Sequence, residues 1–77
     1  MIPMDKIELT KKLGDKIKEL RKNRGLSLTQ LALNAGIDYT QLHRIEHGKI
    51  NTSIYQIYQI CHFLKIPLTD IFKSIIG

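Results

Sequence analysis

The residues best equipped for chemistry lie in one stretch, His43-Arg44-Ile45-Glu46-His47. It spells H-x-x-E-H, a zinc-peptidase signature in reversed form, and helical spacing puts both imidazoles on one face. A catalytic zinc also needs a third protein ligand and a cleft around an open coordination position. A chain of 77 residues has scarcely the room to build that cleft. Adventitious zinc binding by His43 and His47 is the milder reading. Cys61 and His62 form no ligand set with metal-site spacing. Ile54, Ile57, Cys61 and Leu64 fall on steps of three, four and three, so Cys61 reads as a core residue. Nothing beside it in sequence would activate it as a redox-switch thiol. There is no glycine-rich phosphate loop and no nucleophile–base pair. The chain is therefore not expected to be an enzyme, and no metal or cofactor is expected in it.

Charge points to a partner instead. Twelve Lys and Arg against seven Asp and Glu leave a formal net charge of +5, and residues 1–24 carry most of it, with eight bases to four acids. A basic balance favours a polyanion, nucleic acid or anionic lipid. A well-solvated helical surface would carry the same charge, so charge alone does not choose. The length allows one domain with a thin core, of the kind often helped by a partner subunit. Cys61 is the only cysteine, which excludes a disulfide framework. No apolar run exceeds the three residues Leu31-Ala32-Leu33, too short for a membrane span or a signal-peptide core. The expectation is a small cytoplasmic domain that makes no membrane contact.

Elements that would position these residues read as helices almost throughout, because apolar residues recur at helical rather than alternating spacing. Leu9, Leu13, Ile17 and Leu20 make one stripe and predict a first helix over about Leu9 to Asn23. Gly14 inside it costs about 1 kcal/mol relative to Ala, which a close helix crossing would explain. Ser27, Asp38 and Ser53 each stand three residues before a Gln (Gln30, Gln41, Gln56). That is the grammar of a capping box, and it predicts helices of roughly 28–35, 39–47 and 54–64. A last helix opens near Pro67 with Leu68, Ile71, Phe72 and Ile75 on its apolar face. Residues 1–8 carry no strong pattern and read as an N-terminal arm, mobile relative to a single domain over residues 9–77.

Only Gly36 and Ile37 join the second and third segments, and a turn this short forces a steep crossing. Gly36 can take the positive φ the turn demands, and Ala32 is small enough for close approach. Leu31, Ile37, Leu42 and Ile45 would pack beneath. This is the build of a helix-turn-helix, which offers its second helix to the major groove of DNA.

Leu26-Ser27, Leu31-Ala32, Ala35-Gly36-Ile37, Leu42, Ile45-Glu46 and Gly48, followed by Asn51, Ser53, Ile54, Ile57, Ile60, Leu64 and Phe72, resemble the Cro/phage-repressor (XRE) helix-turn-helix family over about residues 9–73. Within it the chain looks most like controller proteins of restriction–modification systems. The resemblance implies an all-α, five-helix, lambda-repressor-like domain that binds double-stranded DNA as a homodimer on a near-palindromic operator. Carried over by position, Tyr39, Thr40 and Arg44 would face base edges, with His43 close by. Arg44 suits guanine O6 and N7, and Thr40 offers a hydroxyl and a methyl. Phosphates would meet Ser27, Thr29, His47, Lys49, Asn51 and the free amides at the start of the second helix. The family usually has Gln where this chain has Leu28, so anchoring there must shift to neighbours. Arg21 and Glu46 match a family ion pair between the first and third helices; as an exposed pair it would add little stability.

Tyr55, Tyr58, Phe63, Ile66, Ile75 and Ile76 give the last two helices more apolar surface than a monomer needs. Ile66, Phe72 and Ile75 are the expected homodimer seam. A heterologous protein, such as the toxin partner of an antitoxin-type regulator, would use the same patch. No aromatic platform of the RNA-binding type is visible.

Overall fold

The computed structural model describes residues 4–76. Among them the chain forms α1 (Lys6–Asn23), α2 (Leu28–Ala35), α3 (Tyr39–Glu46), α4 (Ile54–Leu64) and α5 (Leu68–Ile76), with no strand. The all-α, five-helix architecture expected from the sequence is the one observed.

The first helix begins three residues before its expected start. Asp5 caps it, its carboxylate accepting from the Glu8 amide at 2.8 Å, so residues 6–8 form a helical turn rather than part of an arm. Residues 1–3 of the expected arm lie outside the described residues. Apolar periodicity missed this turn because it buries nothing: Ile7 is exposed, and so is Leu9, which was expected to lead the buried stripe. Leu13 and Ile17 carry the burial instead.

Helices α2, α3 and α4 start where their capping residues indicate. Ser27 forms the full reciprocal box, accepting from the Gln30 amide at 3.1 Å while its own amide donates to Gln30 Oε1 at 2.8 Å. Asp38 and Ser53 accept from the Gln41 and Gln56 amides at 3.2 and 3.1 Å, but the return half differs from expectation. The Gln41 side chain donates to Gln56 Oε1 at 3.2 Å, and Thr52 donates to the same oxygen at 2.7 Å. The two glutamines thus tie α3 to α4 instead of closing their own boxes.

Gly36 takes φ +73° at the end of α2, and the Ile37 amide returns to the Ala32 carbonyl at 2.9 Å, the hydrogen bonding of a left-handed helix cap. The chain then re-enters a helix at Tyr39. Beneath this turn Ile17, Leu31, Leu42, Ile45, Ile60, Leu64 and Ile71 are almost fully buried. Each such side chain contributes roughly 1.5–3 kcal/mol on leaving water. Helix α1 packs on α3 and α5, and α2 on α3 and α4. The helix pair is therefore held from behind on both sides. Among the described residues no helix is long and apolar enough to cross a membrane.

Candidate nucleic-acid interface

The inner face of α3 is spent on the core, with Leu42, Ile45 and Glu46 buried. Its outer face shows Tyr39, Thr40, His43 and Arg44, all exposed. These are the residues expected to meet base edges. Tyr39, His43 and His47 form an aromatic row one helical turn apart. The ring centroids are 6.3 Å apart for Tyr39 and His43 and 4.1 Å apart for the near-parallel His43 and His47. His47 caps the helix rather than belonging to it, and its Nδ1 lies 2.8 Å from the His43 carbonyl. Glu46 points inward while both histidines face out. The H-x-x-E-H residues are consequently not brought together, and no cluster of three or more metal-ligating side chains occurs among the described residues.

Two features set the attitude of α3. The first is the crossing with α1 at Gly14, where an added Cβ would stand 2.7 Å from the Glu46 carbonyl oxygen. Only glycine allows the helices this close. The second is the pair between Arg21 and Glu46. It is not the exposed pair anticipated: the side chains are 11% and 1% exposed. The guanidinium meets the carboxylate at two points and also reaches the Leu26 carbonyl. Both charged groups are therefore buried, multiply hydrogen-bonded and directional, unlike a surface pair.

The expected phosphate-facing residues Ser27, Thr29, His47, Lys49 and Asn51 are all exposed and flank α3. The capping box occupies the Ser27 and Gln30 amides, which leaves the Leu28 and Thr29 amides of the first turn of α2 for an anion. Leu28 itself is half-buried against the core, so the position that departs from the family contributes packing. Asn51 is bonded to Thr10 at 3.0 Å, which holds the turn after α3 against α1. Of the expected seam residues, Ile66 and Phe72 are half-buried, but Ile75 is only 8% exposed within a single protomer. Ile75 is a core residue here, because α1 packs over that side of α5. Cys61 is buried in the core as expected, and burial pushes its thiol pKa up, away from reactivity.

A pair of short helices turned on a left-handed glycine, the second displaying polar and cationic side chains over a dry base, defines the helix-turn-helix class of DNA-binding transcription regulators. Residues 14–75 match the family model described as a helix-turn-helix domain, and the chain belongs to that family. No curated protein matches it in sequence. Among solved structures it is similar to the restriction–modification controller protein C.AhdI from Aeromonas hydrophila, at 32% identity over 82% of this chain and 96% of that one, with a TM-score of 0.79. It is also similar to the biofilm master regulator SinR, solved in complex with DNA, at 31% identity over 78% and 97% of the two chains, TM-score 0.74. A further controller protein, C.Esp1396I, is 26% identical over 88% of each chain, TM-score 0.80.

Proposed function

We propose that this protein is a sequence-specific regulator of transcription that binds duplex DNA as a homodimer on a near-palindromic operator, with α3 of each protomer in a major groove. The observation that carries this reading is the outer face of α3: four exposed side chains able to read bases, on a helix locked from behind by Arg21 and Gly14. The controller proteins and the DNA-bound regulator among its structural neighbours support the same reading. So does size, since a protomer of 39 × 23 × 21 Å is commensurate with half-sites one helical turn, about 34–36 Å, apart.

The mechanism is occupancy, and it calls for no catalysis and no cofactor. Tyr39, Thr40, His43 and Arg44 discriminate bases. Ser27, Thr29, His47, Lys49 and Asn51 fix register on the phosphates and give the complex its salt dependence. The seam is formed by the surface between α4 and α5, where Tyr58, Ile66, Pro67 and Leu68 line a groove of about 490 Å³. The test is selection of binding sites from a random duplex pool. One motif with half-sites about 10 base pairs apart is expected, and failure to enrich any motif defeats the proposal. Sedimentation decides between a second copy and a heterologous protein on the groove: a free monomer at operator-saturating concentration assigns it to another partner.

A further inference from the structure

The first turn of α1 and the turn after α3 enclose a cleft of about 350 Å³, in which Lys49 and Asn51 of the proposed phosphate set face residues of α1 that the set does not include. Its position follows from the crossing of the two helices. Arg21 meets Glu46, Gly14 meets the end of α3, Lys11 backs Gly48, and Thr10 bonds Asn51. Traced toward its N-terminus, α1 thus runs past the end of α3 and alongside the residues that follow. This brings Lys6 to the same cleft as Lys49, with Thr10 and Asn51 at its floor. Both lysines are exposed, and among the described residues neither is paired with a carboxylate. No acidic residue lines the cleft. Two unneutralised ammonium groups beside the side-chain amide of Asn51 form a receptor for a singly charged oxyanion.

The location identifies which anion. Helix α3 has eight residues, about 12 Å of length, close to the roughly 12 Å width of the major groove. With α3 in the groove, the turn after it stands at the groove wall, where the sugar–phosphate backbone runs. We propose that Lys6 and Lys49 together grip one backbone phosphodiester flanking each half-site, so that the start of α1 belongs to the DNA-binding surface. This rests on the DNA-binding reading above.

The experiment measures the affinity of the full chain for its selected operator across a salt series. The chains compared are the unaltered one, Lys6→Gln, Lys49→Gln, the double variant, and Lys73→Gln on the far helix α5 as control. Each lost contact lowers the slope of log K against log salt by about 0.9, so a dimer losing one per protomer drops by about 2. The double variant should show that drop with an unchanged consensus, Lys49→Gln alone a smaller one, and Lys73→Gln none. Replacing single phosphates by neutral methylphosphonates should then reveal one flanking position that matters to the unaltered chain and no longer to the double variant. A double-variant slope equal to that of Lys49→Gln, or no shared phosphate position, overturns the subsite while leaving DNA binding intact. An unaltered chain that binds no duplex overturns both.

Discussion

Arg21 holds Glu46 with two nitrogens on one edge of its guanidinium, Nε to Oε2 at 2.8 Å and Nη2 to Oε1 at 3.0 Å, and its remaining nitrogen reaches the Leu26 carbonyl at 2.8 Å. One side chain thereby joins the end of α1, the approach to α2 and the end of α3. Because the pair is buried, removing one member strands the other charge away from water, at a cost of about 3–5 kcal/mol. Arg21→Met is expected to lower unfolding stability by that amount in urea titrations. Arg21→Met with Glu46→Leu should recover most of the loss, since an apolar pair leaves no charge stranded. A single-variant loss under 1 kcal/mol would mean that solvent reaches the pair.

Gly14→Ala separates helix propensity from packing. Propensity alone favours Ala in mid-helix by about 1 kcal/mol. Packing opposes it, because the new Cβ would stand 2.7 Å from the Glu46 carbonyl oxygen and 2.9 Å from its carbon. These are backbone atoms of a neighbouring helix, and no rotamer change relieves the contact. A net loss of about 1–3 kcal/mol is expected. In a domain this small each kcal/mol lowers Tm by about 4–8 °C. A raised Tm would show that α1 and α3 separate freely.

The parts of this fold legible in the sequence are those set by local chemistry. Ser27, Asp38 and Ser53 cap helices from their own positions, and Gly36 marks its turn because few other residues tolerate φ +73°. What stayed hidden depends on neighbours distant in sequence. Gln41 and Gln56 satisfy the capping pattern, yet each finds a better partner in the other once α3 and α4 are adjacent. Ile75 completes an apolar row on α5, but the row does not say whether α1 or a second subunit covers it. Arg21 and Glu46 look like surface residues until the Gly14 crossing closes over them. On the candidate site, the outer face of α3 followed from periodicity and family resemblance together. Lys6 had no apolar signal to place its turn in a helix at all.

Lys65 is a non-glycine residue held left-handed, at φ 58° and ψ 44°, at the end of α4. The amides of Lys65 and Ile66 return to the His62 and Cys61 carbonyls at 3.2 and 3.0 Å, the hydrogen bonding of a cap that usually employs glycine. An L side chain in this conformation costs roughly 1–2 kcal/mol, and the extra freedom of glycine in the unfolded chain offsets part of that. Lys65→Gly should therefore stabilise the protein by about 0.5–1 kcal/mol, a gain typical of improved helix caps. Thermal unfolding of the two chains side by side measures it, and a lower Tm would contradict the strain.

Ile75 and Tyr58 lie on the last two helices and should answer the same charge in different ways. Ile75 is a core residue, so Ile75→Asp places a carboxylate among apolar neighbours and is expected to abolish cooperative unfolding at ambient temperature. Tyr58 is exposed beside the groove near Ile66. Tyr58→Asp should keep the helical circular dichroism of the parent and shift sedimentation from dimer toward monomer. An intact Tyr58→Asp dimer would move the seam away from this groove.

Arg44 is the exposed cation on the outer face of α3, opposite the buried Leu42 and Ile45 and clear of the aromatic row of Tyr39, His43 and His47. Its fork of donors suits guanine O6 and N7, a contact worth about 1–3 kcal/mol of discrimination. The structure gives it no ion-pair partner among the described residues, so it reaches the groove without first breaking an internal bond. Arg44→Ala should leave the fold intact and flatten preference at one base position in each half-site, while other positions keep theirs. A lysine at a phosphate behaves differently, since its loss weakens all sequences alike. Repeating the random-duplex selection with Arg44→Ala separates the two outcomes. An unchanged consensus with uniformly weaker binding would reassign Arg44 to the backbone and leave base reading to Tyr39, Thr40 and His43.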